Sequence, residues 1–418
     1  MATPKLRFKE FDGDWNKSTI GNFVLNYKGG ASLTPADFVE YSDCEVIPKK
    51  AISSGGLLQL DKVVPTFCTL EFFNSNQNYI VDSEYLITTL RDLVPSGPSI
   101  GYIVKYESNK KYILAQGVYG FRIKNDLNRD FLIQFSNTSK FRLHMQSIMV
   151  GSTQVHIRNQ DYFSTELYTP SLIEQTKIAS FLSNVDEKIS QLTQKHELLS
   201  QYKQGMMQKL FSQQLRFKAD DGSEFGEWEE KLIKDIADVK GGKRIPKGYP
   251  LVNENTGHPY ITVSDMNRSY SIDSTNIRYV PLEVVDTIKR YTITDKDIFI
   301  SVAGTLGIIG KIPTEFNGAN LTENADKLTN LKCHQDFLIY LLDSGYLSEL
   351  IESTATTSAQ PKLALYAIEQ LEVQIPCPEE QTKIANFLSA IDQKIEVVAQ
   401  QIEQAKQWKK GLLQQMFV

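Results

Sequence analysis

Cysteine and histidine are scarce in this 418-residue chain, and neither forms a metal-binding or disulfide pattern. The four cysteines, Cys44, Cys68, Cys333 and Cys377, are widely separated and include no CxxC pair. Scattered cysteines favour free thiols and an intracellular protein. The five histidines include no HExxH or HxxxH pattern, so we expect no metal site.

The chain also lacks a hydrophobic run long enough to cross a membrane. Residues 298–310 carry no charge, but polar residues and glycines interrupt these 13 positions. A spanning helix needs about 20 apolar residues. The N-terminal segment MATPKLRFKEFDGDW is charged and has no apolar core, unlike a signal peptide. These absences predict a cytoplasmic protein, and the length suggests two or three domains.

An excess of positive charge is missing as well. The net charge is -5, and residues 213–375 hold 17 basic against 24 acidic side chains. Proteins that bind nucleic acid through their overall field are usually basic. Any contact with DNA must therefore come from local patches.

No catalytic constellation is evident. The segment GTLGIIGK at 304–311 fails the phosphate-loop pattern, because Thr305 replaces the first glycine and Ile312 follows the lysine. We interpret it as a tight turn between two strands. DxK triplets at 186–188 and 392–394 resemble part of a nuclease metal site, but no carboxylate cluster accompanies them. We predict that they are solvated helix charges.

The chain does contain a long internal repeat. Residues 170–212 align with residues 376–418 without a gap, with 20 identities in 43 positions. A weaker repeat precedes it: LRFK at 6–9 recurs at 215–218. Each copy is followed by an acidic turn, a tryptophan and KGG. The regions between the repeats show no similarity that can be aligned, so similar frames enclose dissimilar inserts.

Both copies of the longer repeat have the heptad pattern of a coiled coil. Apolar residues recur with alternating spacings of three and four, and no proline interrupts either run. This predicts helices of roughly 40 residues, each on the order of 60 Å long. The predicted seam comprises Ile178, Leu182, Val185, Ile189, Leu192, Leu199, Ile384, Leu388, Ile391, Ile395, Val398 and Ile402.

The apolar seam must be buried, and the two copies are the obvious partners. Helices joined through a compact domain with neighbouring ends would pair antiparallel. Pairing with another subunit, or burial as core helices of one large domain, are the alternatives. A period of 3.5 over about five heptads favours a two-helix seam.

Several large apolar residues lie off the seam, where a two-stranded coil does not cover them. We predict docking of partner subunits there, with coverage by the neighbouring domains as the alternative. The predicted docking residues are Phe181, Tyr202, Phe211, Phe387, Trp408 and Phe417.

The frame resembles the specificity (S) subunit of type I restriction–modification enzymes. The matching elements are the duplicated EQTKIA.FLS..D.KI, the closing KQGMMQKLF and KKGLLQQMF, LRF..F.G.W at the edge, and AQPKLAL at 359–365. Together they cover nearly half of the chain.

The resemblance implies an α+β fold with a pseudo-twofold internal repeat. Two mixed α/β target-recognition domains would be joined and separated by two long antiparallel coiled-coil helices. The expected bounds are 1–169 for the first domain, 170–212 for the central helix, 213–375 for the second domain and 376–418 for the C-terminal helix.

The resemblance also implies a function without catalysis. Each domain would recognise one half of a bipartite, asymmetric site in double-stranded DNA. Two modification subunits, which bind S-adenosylmethionine and methylate adenine, would dock on the helices. Up to two restriction (endonuclease/translocase) subunits would join them, and this chain itself would carry no cofactor. An enzyme with an unrecognised active site and a coiled-coil assembly protein without a DNA role are the alternatives.

Candidate DNA contacts are cations and amides in predicted loops. Lysine and arginine can bind phosphate or guanine, whereas asparagine and glutamine can bind adenine, although turns also favour asparagine. The candidates are Lys243, Arg244, Lys247, Asn267 and Arg268 in the second domain, and Lys49, Lys50, Asn74, Asn76, Gln77 and Asn78 in the first.

Overall fold

The computed structural model describes residues 3–355 and 362–418, so residues 359–361 of the AQPKLAL motif lie outside it. The chain divides into two compact units, Met1–Thr193 with Gln400–Val418, and Gln194–Ala399. Each unit contains a mixed globular domain and a portion of each of two long helices. The predicted α+β class with an internal repeat is confirmed.

The first unit contains thirteen short strands and five short helices within its described residues. The strands are β1 (Asn16–Thr19), β2 (Val24–Gly29), β3 (Phe38–Val39), β4 (Val46–Ile47), β5 (Phe67–Cys68), β6 (Ile80–Val81), β7 (Leu86–Thr89), β8 (Arg91–Asp92), β9 (Ile103–Val104), β10 (Tyr112–Leu114), β11 (Val118–Ile123), β12 (Val155–His156) and β13 (Glu166–Thr169). The helices are α1 (Ile20–Phe23), α2 (Leu70–Ser75), α3 (Arg129–Ser136), α4 (Ser139–Ile148) and α5 (Asn159–Phe163).

The long helices are α6 (Leu172–Phe211) and α12 (Pro378–Met416), of 40 and 39 residues. Between them, the strands are β14 (Glu229–Leu232), β15 (Asp238–Gly241), β16 (Pro259–Ile261), β17 (Arg278–Tyr279), β18 (Thr292–Ile293), β19 (Ile298–Ser301), β20 (Ile309–Gly310), β21 (Ala319–Leu321), β22 (Ala325–Thr329) and β23 (Glu372–Ile375). The helices are α7 (Ile233–Ile236), α8 (Val285–Ile288), α9 (Gln335–Leu341), α10 (Leu347–Ala355) and α11 (Leu365–Glu369), with a π-helical segment, Leu342–Tyr346, joining α9 to α10.

The two globular domains share one topology, although their sequences cannot be aligned. Each has an antiparallel four-stranded sheet, with order β2-β11-β7-β9 in the first domain and β15-β22-β19-β20 in the second. Each also has a mixed sheet with one parallel pair, β4-β10-β6 in the first domain and β16-β21-β18, with β17 at its edge, in the second. The start of the segment GTLGIIGK forms the turn between the paired strands β19 and β20, as the sequence predicts, and its end contains β20.

The repeated KGG motif has a steric basis in both domains. A Cβ atom on Gly30 would lie 1.8 Å from the carbonyl oxygen of Ala115, and one on Gly242 would lie 2.0 Å from that of Thr322. No side chain fits at these distances, so only glycine permits the close approach of the two backbone segments.

Within each unit, the two long helices pack against each other in opposite directions. In the first unit, Ile178 and Leu182 near the start of α6 share a core with Leu412 and Met416 near the end of α12. In the second, Leu210 near the end of α6 shares a core with Ile384, Leu388 and Ile391 near the start of α12. The predicted antiparallel pairing is thus present within each unit.

The predicted seam residues lie inside or at the edge of these contacts. Buried side chains are those of Ile178, Leu182, Val185, Leu192, Ile384, Leu388, Ile391, Val398 and Ile402. Those of Ile189, Leu199 and Ile395 are partly buried.

The duplicated edge motifs make equivalent contacts with the duplicated helix starts. Arg7 donates two hydrogen bonds to Glu174, at 2.7 and 2.8 Å. Arg216 donates two to Glu380, at 3.1 and 2.7 Å. These ion pairs explain why LRFK and EQTKIA recur together.

The adjacent glutamines also act alike. The side-chain oxygen of Gln175 accepts from the backbone N–H of Asn128, and that of Gln381 accepts from the N–H of His334. Each glutamine therefore fastens its long helix to the start of a helix in its own domain.

The two DxK aspartates are only 26% and 31% exposed and are held in ion pairs, which corrects the prediction of solvated helix charges. Asp186 pairs with Lys409 at 2.5 Å, and Asp392 pairs with Lys203 at 2.6 Å. Both lysines continue the heptad spacing of the seam and have side chains only 11% exposed. The two ion pairs join equivalent positions of the repeat. In each pair, the aspartate supplies the opposite charge that a buried ammonium requires.

Within the described residues, no helix is both long and apolar enough to traverse a bilayer.

Candidate nucleic-acid interface

In each domain, predicted DNA contacts lie at one particular end of the mixed sheet. In the first domain, the chain leaves β4 just before Lys49 and enters β6 just after Asn78. Since β4 runs parallel to β10 and β6 runs antiparallel to it, these segments meet at the end where β10 finishes. The same strand directions in the second domain place the segments after β16, after β21 and before β18 together.

The loop at 243–248 reaches that end of the second domain. The backbone N–H of Lys243 donates to the carbonyl oxygen of Leu321, the last residue of β21, at 2.8 Å. Lys243, Arg244 and Lys247 are exposed. The loop lines an open cavity of about 560 Å³ together with Tyr260 and other residues.

Arg244 is exposed but already has a charged partner. Its guanidinium forms an ion pair with Glu323, which follows β21. Burial acts to raise the pKa of the Glu323 carboxyl, but hydrogen bonds led by that from Arg244 hold it below its usual value. The pair orients the guanidinium, and DNA phosphate would compete with Glu323 for it.

The turn at 267–271 places its two predicted contacts differently. The side-chain oxygen of Asn267 accepts hydrogen bonds from the backbone N–H groups of Ser269 and Ser271, at 3.1 and 3.2 Å. Asn267 therefore organises the turn, as asparagine commonly does. Arg268 is exposed on the same turn.

The amides of the first domain also divide into two groups. The side chain of Asn76 donates to the carbonyl oxygen of Phe72 at 2.8 Å, and that of Gln77 donates to that of Phe73 at 3.3 Å. These two amides satisfy carbonyl groups at the end of α2, a structural use. Asn74 and Asn78 are exposed; Lys50 is exposed and Lys49 partly buried.

Two further candidates that the sequence analysis did not name are Lys289 and Arg290, which are exposed and lie before β18, separated from it by Tyr291. Their position in the topology matches that of residues 74–78 in the first domain. Lys289 pairs with Asp286 at 2.8 Å.

The six predicted docking residues have different surroundings. Phe417 is only 8% exposed, and its ring lies 5.0 Å from that of Phe131, so its own unit covers it and the docking prediction is corrected there. Phe181, Phe211 and Phe387 are partly buried and contact rings of their own units. Tyr202 and Trp408 remain 51% and 55% exposed. These two occupy equivalent positions in the repeat.

Among residues 3–355 and 362–418, no group of three or more His, Cys, Asp or Glu side chains is placed to hold a metal ion.

Comparisons with known proteins give one consistent family. The family model described as the type I restriction modification DNA specificity domain matches twice, at residues 12–201 and 226–407. The type I restriction enzyme MjaVIII specificity subunit of Methanocaldococcus jannaschii is 24% identical, over 97% of this chain and 94% of its own length. The putative MjaX specificity subunit of the same organism is 26% identical, over 77% of this chain and 75% of its own.

Solved structures show the same fold at low identity. The S subunit of a type I restriction–modification system from M. genitalium superposes with a TM-score of 0.61 and 18% identity, covering 100% of this chain and 99% of that one. A chain from a structural study of assembly and conformational transition of the type I system gives a TM-score of 0.55 and 14% identity, covering 97% of each. The two-copy family match, spanning most of the chain, establishes that this protein belongs to the DNA specificity subunits of type I restriction–modification systems.

Proposed function

We propose that this chain is a non-catalytic subunit whose two domains each recognise one half of a bipartite, asymmetric DNA site. The supporting observation is that one topology presents different side chains at the same end of an equivalent sheet. Lys50 and exposed amides lie there in the first domain, and Lys243, Arg244 and Lys247 in the second. Two domains with one docking geometry and unlike contact residues suit an asymmetric site.

The long helices would set the distance between the half-sites. Helices of 40 and 39 residues are each about 60 Å long at about 1.5 Å per residue. Positions on one face of a duplex recur every 34–36 Å, roughly, so such helices can span one repeat. The unrecognised middle of the site would then follow from helix length.

The helices would also dock two modification subunits, which supply S-adenosylmethionine and methyl transfer. Tyr202 and Trp408 support this, because they are equivalent in the repeat and each exposes about half of a large ring. Exposed aromatic residues commonly anchor protein interfaces. Two copies of one surface suit two copies of one partner.

Mapping of methylated adenines tests the proposal. DNA from cells that express this chain with its modification subunit should carry methyl groups in one motif with two specified parts and an unspecified middle. The modification subunit expressed alone provides the control. A contiguous motif, or methylation without sequence preference, would contradict the bipartite model.

Substitution of Arg244 by alanine is expected to alter recognition of one half-site only. If the guanidinium contacts a base, binding should weaken by about 1–3 kcal/mol and base preference should relax at one position. Binding to DNA libraries that are randomised in one half-site at a time measures both effects. Lys50→Ala in the first domain is the matched control, since its effect should fall on the other half. Unchanged affinity and preference would remove Arg244 from the interface.

The competing enzymatic function has a direct test. The purified chain, incubated with a divalent metal ion and DNA in the absence of other subunits, should leave the DNA intact. Cleavage under these conditions would favour a nuclease with its own active site. Salt-dependent DNA binding by the reconstituted complex would in turn exclude an assembly protein without a DNA role.

A further inference from the structure

A buried lysine in the second unit is surrounded by two tyrosines and two aspartates. Lys203 is 9% exposed and pairs with Asp392 at 2.6 Å. Its ammonium also donates to the hydroxyl oxygen of Tyr270 at 3.0 Å. The hydroxyl groups of Tyr270 and Tyr340 donate to Asp343 and Asp392, respectively, each at 2.6 Å. We call these five residues the lysine cage.

Both tyrosine rings face the ammonium. The Nζ atom of Lys203 lies 4.2 Å from the ring centroid of Tyr270 and 5.0 Å from that of Tyr340. Cation–π attraction at such distances is strengthened by exclusion of water. Burial beside Asp343 raises the pKa of the Tyr270 hydroxyl well above its usual value, so it remains a hydrogen-bond donor.

Tyr270 holds a backbone conformation that its side chain disfavours. Its φ is +61°, in the left-handed region where residues other than glycine are uncommon. The carbonyl oxygen of Tyr270 accepts from the N–H of Lys311 at 3.0 Å. A Cβ atom on Gly310 would lie 2.4 Å from the carbonyl carbon of Tyr270. The backbone of this strained turn is therefore hydrogen-bonded to the residue that follows β20, and the Tyr270 side chain is hydrogen-bonded to α6. Backbone strain of this kind is often found at functional sites.

The same turn carries an exposed candidate for DNA contact. Met266 and Ile272 form a bridge at its base, and the N–H of Asn267 donates to the carbonyl oxygen of Ser271 at 3.0 Å. Arg268 lies within this closed turn, two residues before Tyr270. The direction of Arg268 is thus linked to the attachment of Tyr270 to the helix.

The first unit retains the helix ion pair but lacks the aromatic attachment. Lys409, equivalent to Lys203, pairs with Asp186, whose other oxygen accepts from the side-chain amide of Gln134 at 2.8 Å. In the described part of the chain, no aromatic ring lies over the ammonium of Lys409. The Lys–Asp pair accordingly belongs to the helices, whereas Tyr270 is an addition of the second domain.

We propose that Tyr270 is a positioning residue for DNA recognition by the second domain. Its bonds to Lys203 and Asp343 hold the turn at 267–271 so that Arg268 meets the half-site in one fixed direction. The inference rests on the proposed bipartite recognition and adds a residue that acts through Arg268 without touching DNA.

The proposal is tested by DNA binding of the complex that this chain forms with its modification subunits. The DNA carries the motif found by methylation mapping, either intact or with base changes in one half at a time. Tyr270→Phe keeps the ring and removes both hydrogen bonds of the hydroxyl. It should lower discrimination in the second domain's half-site by at least about fivefold, since the loss of a single hydrogen bond usually has this effect, and leave the other half unchanged. In an Arg268→Ala background, the same substitution should have no further effect on discrimination.

Tyr340→Phe is the matched control. It removes a hydroxyl that bonds Asp392 on α12 but keeps the ring, which lies 5.3 Å from the ring of Tyr270. It should therefore affect thermal stability without affecting discrimination. Equal effects of the two substitutions on discrimination, no effect of Tyr270→Phe, or a full effect in the Arg268→Ala background would overturn the inference. Failure of the proposed function is distinguishable, because the wild-type complex would then show no bipartite preference at all.

Discussion

Replacement of Glu380 by alanine is expected to destabilise the second unit by about 3–5 kcal/mol, the usual effect of removing one partner of a buried ion pair. The Glu380 carboxylate has no exposed surface and accepts two hydrogen bonds from Arg216. It also accepts one from the indole N–H of Trp228 at 3.1 Å. Its removal leaves the indole N–H without its partner and the Arg216 cation without a carboxylate, with only the carbonyl oxygen of Gly226 still accepting from the guanidinium. Chemical unfolding monitored by tryptophan fluorescence measures the change.

The first unit supplies a matched control in Glu174→Ala. Glu174 also pairs with an edge arginine, Arg7, but the indole nitrogen of Trp15 has no hydrogen-bond partner among the described residues. We therefore expect Glu174→Ala to cost about 1 kcal/mol less, the typical contribution of one hydrogen bond. The double variant Arg216→Ala/Glu380→Ala should be more stable than Glu380→Ala, since no unpaired charge remains. Equal free energies of unfolding for wild type and Glu380→Ala would contradict a stabilising role for the ion pair of Glu380 with Arg216.

The long helices could be predicted from sequence because their signal extends over many residues. Heptad spacing indicated helices within 170–212 and 376–418, and the structure has them at Leu172–Phe211 and Pro378–Met416. Errors of two residues at helix ends are expected, since ends are set by local caps. The antiparallel pairing was predicted because the two helices are joined through a compact domain. The ion pairs of Asp186 with Lys409 and of Lys203 with Asp392, which the sequence analysis did not foresee, fix this direction within each unit.

The shared topology of the two domains was not predictable from their sequences. The mixed sheets are built from strands of two or three residues, such as β4 and β18, whose pairing depends on contacts distant in sequence. Such short strands carry too little periodicity to reveal register. The repeated Gly30 and Gly242 were a sign of the shared topology in the sequence, because the same close backbone approach requires glycine in both domains.

The surroundings of the individual candidates for DNA contact were the least predictable feature. Asparagine is suited both to base recognition and to turns, so its presence in a loop does not reveal which of the two roles it has. Asn267 organises its turn, whereas the neighbouring Arg268 is exposed. The same ambiguity applied to Asn76 and Asn78. Only the hydrogen-bond partners distinguish an amide that completes a helix end from one that faces solvent.

Deletion of one heptad from both long helices is expected to abolish recognition of the original DNA site. Removal of residues 191–197 and 398–404 spares the ion pairs of Lys203 with Asp392 and of Lys409 with Asp186. Seven residues at about 1.5 Å each shorten the helical pair by about 10 Å, or about three base pairs of duplex. A heptad is nearly two full turns, so each domain should keep its orientation about the helix axis to within about 20°.

The shortened protein could then engage only one half of the original site. Each mismatched base pair costs about 1–3 kcal/mol, so loss of a half-site of several base pairs should weaken binding by more than about 100-fold. Adenine methylation mapping should show the original motif lost and, if the duplex accommodates the new rotation, a motif with a spacer about three base pairs shorter. Insertion of one heptad into each helix is the matched control and should lengthen the spacer by the same amount. In both variants the helix length has changed. A spacer that stays the same in both would therefore mean that the helices do not set the distance between half-sites.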